Sequence, residues 1–339
     1  MNTEKCFTHL NGYEVKDAKA RKSLYPFNLG AFVAILNDSD TGSNKSDAQI
    51  RKNIDDLVNA GVKNYAICVE VMPTTEEKNK LANGEITSES LTLSTYPSAE
   101  TMNTYFNIAK EKGLKLSVLK FHCLWANQVS GLDYNAFIKK YKEAVINALN
   151  KLTVKPKYVT VLNESGKLIT SDTKSSVVSL LGSIKALGYK VGVCGVTQPL
   201  LDHNLVGYID MFLPHFYPFA SLRGEKTTVQ DVEEGFENSR VGDSVITYLK
   251  ALYPDIPIII SEVGASSYWE ALAQPEKWWG GTSEATYVTD GTPMALYTKG
   301  AIRYFSQYEV EDMYIFWTDT IPSKLAKVFK AYYEKGRNL

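Results

Sequence analysis

Short apolar runs alternate with amphipathic stretches along most of the chain. Residues Phe27–Ile35 read as a strand, and Asp47–Ala60 carries helical spacing that ends at Gly61, a fitting C-cap. The alternation continues with strand Asn64–Val71 and helix Ala99–Lys112, then strand Leu116–His122 and helix Tyr134–Leu152. Strand Tyr158–Leu162 is followed by helix Thr173–Leu187, and strand Lys190–Gly195 by a short helix near Leu200–Val206. Next come strand Tyr208–Leu213 with a helix around Val241–Leu252, and strand Ile256–Ser261 with helix Pro293–Gln307. Strand Met313–Trp317 and helix Ser323–Lys335 close the series. The strands are near-continuous apolar runs, as expected of a parallel sheet covered by helices. The pattern predicts an α/β fold, a closed (β/α)8 TIM barrel in a single domain, with an open doubly wound sheet as the alternative. Residues 1–24 are polar and charged and read as a leader segment packed on the barrel formed by 25–339.

The connections are asymmetric. Those after strands are long (37–45, 72–97, 215–238 and 263–291), whereas those after helices are short. Barrel enzymes build their sites from the loops after strands, so the asymmetry predicts which end is functional.

Composition narrows the classes of partner. A formal net charge of −1 leaves no broad basic face for nucleic acid or an anionic membrane. No run approaches transmembrane length, and the N-terminus lacks the apolar stretch of a signal peptide. Cys6, Cys68, Cys123 and Cys194 are scattered, three of them inside strand-like runs, which reads as buried free thiols and a reducing, cytoplasmic compartment.

Candidate chemistry gathers at strand ends. Glu164 closes Tyr158-Val-Thr-Val-Leu-Asn-Glu and Glu262 closes Ile256-Pro-Ile-Ile-Ile-Ser-Glu, on the fourth and seventh strands of the series. A carboxylate directly behind such a run suits the mouth of a barrel better than its core. Each alone has a bland reading, a solvated capping loop for one and a strand-to-loop turn for the other. Their coincidence on nearly opposite strands favours a functional pair. His122 ends the third strand, His215 and Tyr217 alternate with Phe216, and Trp317 ends the eighth strand. Trp269, Trp278 and Trp279 lie in the long loop after the seventh strand, as loop anchors or as aromatic walls. Glu70 closes the second strand with no partner evident in sequence, and Trp125 and Asn127 stand just past the third.

This arrangement resembles the clan A glycoside hydrolases, barrels whose acid/base glutamate follows an asparagine on the fourth strand and whose nucleophilic glutamate ends the seventh. Asn163-Glu164 and Glu262 occupy those positions, and the resemblance spans essentially the whole barrel. His215-Phe-Tyr217 fits the clan's His-x-Tyr after the sixth strand, and Trp317 fits its tryptophan floor beneath the sugar. Leu119-Lys-Phe-His122 is similar to the Leu-Lys-Pro-His of glycoside hydrolase family 113, a β-mannanase family, with Phe121 in place of the proline.

The resemblance implies a retaining β-glycosidase acting on a polysaccharide or oligosaccharide, with Glu262 as nucleophile and Glu164 as acid/base. It implies a raised pKa for Glu164, an ionised Glu262 held by donors such as Tyr217, and Asn163 bonded to the sugar 2-hydroxyl. His122, His215, Trp317 and Trp269 are expected to contact substrate. No metal or cofactor is called for, the partner is a carbohydrate, and the oligomeric state stays open. The alternatives are a non-hydrolytic carbohydrate-binding barrel within a larger assembly, and a transglycosylase using the same glutamates. Other catalytic patterns are missing: no His-x-His on the first strand, no Walker sequence, no dinucleotide fingerprint and no Gly-x-Ser-x-Gly elbow.

Overall fold

The computed structural model describes residues 25, 27–33, 46–222, 224–273, 275, 287–316 and 321–335. The leader 1–24, Cys6, Trp278, Trp279 and Trp317 lie outside the described residues. The strands are β1 (Asn28–Val33), β2 (Asn64–Met72), β3 (Ser94–Tyr96), β4 (Lys115–His122), β5 (Tyr158–Val161), β6 (Lys190–Val193), β7 (His215–Phe216), β8 (Ile259–Val263) and β9 (Asp312–Ile315). The helices are α1 (Asp47–Asn59), α2 (Thr75–Ala82), α3 (Ala99–Glu111), α4 (Tyr134–Lys151), α5 (Lys174–Ala186), α6 (Thr197–Asp202), α7 (Val229–Ser239), α8 (Tyr248–Leu252), α9 (Thr292–Phe305) and α10 (Ser323–Lys335). Eight parallel strands separated by helices in strict chain order make this a (β/α)8 fold, the class the apolar pattern predicts. Among the described residues, no helix is long and apolar enough to cross a membrane.

The chain forms two compact units. One holds the strand run β6-β5-β4-β2, with the short β3 antiparallel on β2. Val159 and Val161 of β5 stand in parallel register with Val191 and Val193 of β6, all of them buried. Phe137, Tyr141 and Val145 of α4 and Leu180, Leu181 and Ile184 of α5 belong to the core of this unit. Cys68, Cys123 and Cys194 are buried free thiols, in line with the sequence reading.

The other unit holds the run β1-β9-β8-β7. Here Asn28 stands opposite Asp312 and donates to its carboxylate at 2.7 Å, which satisfies a buried charge where both strands begin. Phe236 of α7 packs on Tyr297, Tyr304 and Phe305 of α9, with ring centroids 5.2–5.4 Å apart.

Three expectations need correction. The sixth parallel strand is not Tyr208–Leu213. Val206–Tyr208 forms a tight helical turn, Leu213 makes a lone bridge to Cys194, and the strand proper is His215–Phe216. Asp210 explains the early part: it accepts from the Val191 N–H and pairs with Lys185 at 2.9 Å, ending local alternation. Pro214 then interrupts the ladder because it has no N–H. The segment 72–97 is not an open loop but carries α2 and β3, and 215–238 carries α7. Both helices begin with a reciprocal capping box, Thr74 with Glu77 and Thr228 with Asp231.

Tyr141 braces the ends of two strands. Its hydroxyl donates to the Phe121 carbonyl at 2.7 Å and accepts from the Leu162 N–H at 3.2 Å. Tyr141→Phe leaves a buried N–H and a buried C=O unmet, so unfolding in guanidinium should show a loss of about 2–4 kcal/mol.

Candidate active site

The turn after β5 has an unusual backbone. Leu162 and Glu164 both take left-handed conformations, φ 52° and 51°, on either side of Asn163. A non-glycine residue in that region costs about 1–2 kcal/mol, and two nearly adjacent ones mark a turn that the surroundings hold in place. The holding contacts are specific. Glu164 N–H donates to the Cys194 carbonyl at 2.9 Å, and Ser165 N–H to the Leu162 carbonyl at 3.1 Å. Ser165 Oγ donates to the Asn163 carbonyl at 3.0 Å and lies 3.4 Å from Cys123 Sγ. Asn127 Nδ2 donates to the Glu164 carbonyl at 3.3 Å. The Glu164 side chain itself is exposed, while Asn163 is 1% exposed and its Oδ1 has no hydrogen-bond partner among the described residues.

Glu70, Trp125 and Asn127 belong to the same unit, and the fold brings them together with this turn. The Glu70 carboxyl lies near the backbone N–H groups of Leu124 and Trp125. Trp125 Nε1 donates to the Val71 carbonyl at 2.7 Å, and Lys78 Nζ lies 5.7 Å from the centre of the indole. Burial pushes the Glu70 carboxyl up to about 7, against the pull of Lys78 and the two N–H groups. Burial also lowers the Lys78 ammonium, opposed by Glu70.

His122 ends β4 and is half-buried. Lys120, two residues earlier on the same face of β4, is fully buried and stands opposite Thr160 of β5. Lys120 lies within Leu119-Lys-Phe-His122 and has no role among the expected site residues. Its signal was a charged residue inside an otherwise apolar strand.

In the other unit, β7 and β8 set a second constellation. Parallel pairing puts His215 opposite Glu262, and Glu262 lies within β8 rather than just beyond it. The Tyr217 hydroxyl donates to Glu262 Oε2 at 2.7 Å, and His215 Nε2 lies 3.4 Å from Oε1. All three residues are 4% exposed, so the carboxylate is met on both oxygens inside protein. Gly264, two residues on, has no room for a side chain, because a Cβ there would overlap the Phe316 carbonyl. Trp269 opens the turn Trp269–Leu272 further along this loop and is half-buried.

No model of a known protein family matches the chain, and no curated protein matches it. Solved structures do. A GH113 β-1,4-mannanase, solved as a complex, aligns with a TM-score of 0.59 at 12% identity, over 90% of this chain and 98% of that one. A β-D-glucuronidase from Dictyoglomus thermophilum aligns at 0.58 and 13% identity, covering 92% of this chain. A tri-modular GH5 endo-β-1,4-glucanase from Bacillus licheniformis aligns at 0.54 and 15% identity, again over 92% of this chain. The chain spans 51% of the glucuronidase and 60% of the glucanase. Identities this low establish a shared barrel fold.

Two stability measurements probe these clusters. Tyr217→Phe removes a charge-assisted donor from a buried carboxylate and should cost about 1.5–3 kcal/mol in equilibrium unfolding. Glu70 has a folded-state pKa of about 7 against an ordinary 4.5, so its contribution is greatest below pH 4.5 and is lost as the pH rises through 7. Glu70→Gln, neutral throughout, should therefore gain on the wild type by about 1–3 kcal/mol between pH 4.5 and 8, after allowing for water that reaches the carboxylate.

Proposed function

We propose that this chain is a retaining glycoside hydrolase of the clan A type, cleaving β-glycosidic bonds in a polysaccharide or oligosaccharide. The observation that carries the reading is the buried Glu262 carboxylate at the end of β8, with Tyr217 at 2.7 Å from one oxygen and His215 at 3.4 Å from the other. A carboxylate oriented and kept ionised in this way is suited to attack carbon. Support comes from Asn163-Glu164, whose turn is held in a strained conformation at the end of β5. β5 and β8 are the fourth and seventh parallel strands in chain order, and barrel strands present their C-terminal ends to one functional face. The glycosidases among the matching solved structures lend further weight.

In the proposed reaction Glu262 bonds to the anomeric carbon as the glycosidic C–O bond breaks, and Glu164 gives its proton to the leaving oxygen. Water then attacks the anomeric carbon of the glycosyl-enzyme, Glu164 takes a proton from it, and Glu262 departs as a carboxylate. The mechanism requires the two carboxyl groups about 5–5.5 Å apart. Asn163, whose buried Oδ1 has no hydrogen-bond partner among the described residues, is assigned to the sugar 2-hydroxyl, His122 and Trp269 to the walls of the sugar site and Trp317 to its floor. β-Mannosides are the first substrates to try, given Leu119-Lys-Phe-His122 and the mannanase that matches this chain over nearly its whole length.

Aryl β-mannosides, β-glucosides and β-glucuronides should be screened with the wild type, Glu164→Ala and Glu262→Ala. Turnover should fall about 10²- to 10⁴-fold in Glu164→Ala and by about 10⁴-fold or more in Glu262→Ala. Activity that survives Glu262→Ala sinks the nucleophile assignment. Sugar binding without turnover of any glycoside replaces the hydrolase with a binding barrel.

A further inference from the structure

The two ends of the Asn127 amide fare differently. Nδ2 donates to the Glu164 carbonyl at 3.3 Å, while Oδ1 is buried with no hydrogen-bond partner among the described residues. Turning the amide round would set Oδ1 against the carbonyl oxygen, acceptor against acceptor, so the Glu164 carbonyl fixes its orientation. A buried acceptor left unmet works against folding. The one bond made in exchange adds little stability, because Glu164 is exposed and water can serve its carbonyl. An apolar side chain of similar size would suit the fold better at this position, so the amide calls for a reason other than stability.

The turn Leu124–Asn127 that carries the amide is firmly built. Ala126 N–H donates to the Cys123 carbonyl at 2.9 Å and Gln128 N–H to the Trp125 carbonyl at 3.0 Å. The Trp125 indole donates to the Val71 carbonyl at 2.7 Å and is packed edge-on by Phe137 at 5.4 Å. Cys123, at the head of the turn, has its Sγ 3.4 Å from Ser165 Oγ. A fixed segment thus meets the turn after β5 at two points, Ser165 and the Glu164 carbonyl.

Glu164 sits between two planar peptides, and its φ and ψ are the only rotations between them. The peptide before it is held through the Glu164 N–H, which donates to the Cys194 carbonyl at 2.9 Å. The peptide after it is held through the Glu164 carbonyl, by Asn127. Together the two bonds keep Glu164 at φ 51°, and so set the direction in which its side chain leaves the backbone.

We propose that Asn127 is a positioning residue for Glu164, its amide fixing the Glu164–Ser165 peptide and through it the aim of the carboxyl group. The inference rests on the reading of Glu164 as the acid/base group. It gives the turn after β4 a part in proton transfer without contact to the reacting atoms.

The test uses the full chain carrying Asn127→Leu, which keeps the bulk and removes the donor, or Asn127→Ala, which guards against a leucine that does not fit. Two β-glycosides of the sugar the wild type accepts are compared, one with a dinitrophenyl leaving group and one with a phenyl group. A misaimed acid harms only the substrate whose leaving group needs a proton. kcat/KM should therefore drop about 10- to 100-fold on the phenyl glycoside and by less than about threefold on the dinitrophenyl one. Glu164→Ala, run alongside, should show the same selectivity in stronger form. Where it does, equal losses on both substrates in the Asn127 variants, or none on either, overturn the proposal. A second readout does not depend on turnover: amide hydrogen exchange at Glu164 and Ser165, followed by NMR. Exchange at Ser165 should quicken about tenfold or more in both Asn127 variants, with the rest of the barrel unchanged. Unchanged exchange at both residues overturns the hold itself. If no glycoside is cleaved, or Glu164→Ala loses equally on both substrates, the acid/base reading has failed and exchange alone decides whether Asn127 fixes this peptide.

Discussion

A carboxylate taken out of water has to be met by donors, and Glu262 is such a group. Its two oxygens face Tyr217 and His215, both supplied by the chain around β7. Much of the local architecture follows. β7 is only two residues long, yet its register fixes His215 opposite Glu262 and puts Tyr217 just past the strand. Beyond Glu262 the backbone runs directly against β9: Phe316 N–H donates to the Val263 carbonyl at 3.0 Å, and Gly264 leaves room for the Phe316 carbonyl. The strand end is thus bound to neighbours on both sides, and the side chain has little freedom to leave its donors.

The turn bearing Glu164 solves a different problem. Here the side chain is exposed and the backbone is what is held, by Tyr141, Cys194, Ser165 and Asn127. The contrast suits the proposed division of labour. A nucleophile must stay ionised and oriented, whereas an acid/base group must exchange protons twice per cycle while its aim is preserved. Left-handed Leu162 and Glu164 put the strain in the main chain, where hydrogen bonds from three other segments oppose it.

The parallel strands were legible because a sheet covered on both faces makes its strands apolar throughout, as in Val159–Val161 and Ile259–Ile260. β7 was misplaced because its two residues carry no periodicity, and the apolar run before it is spent on a turn and a single bridge. Helix α7 was missed although Thr228 and Asp231 spell its capping box, since only Val232, Gly235 and Phe236 are buried along it. In the site, Glu164 and Glu262 stood out as charges closing apolar runs; the alternation around Phe216 put His215 and Tyr217 on one face, and the Tyr217 contact with Glu262 was implied only by the resemblance to clan A. Glu70 was visible as a charge closing the second strand, but nothing in the sequence showed that it would be buried. The strained conformations of Leu162 and Glu164 were equally silent, since neither residue type advertises a positive φ.

The central claim is that Glu262 forms a bond to sugar. It is tested most directly by incubating the protein with a fluorodeoxy β-glycoside carrying a dinitrophenyl leaving group, which slows release of the glycosyl-enzyme. Proteolysis and mass spectrometry then locate the adduct. The account predicts one sugar per chain, on the peptide containing Glu262. An adduct on any other residue, or none in a preparation that turns over the parent glycoside, would contradict it.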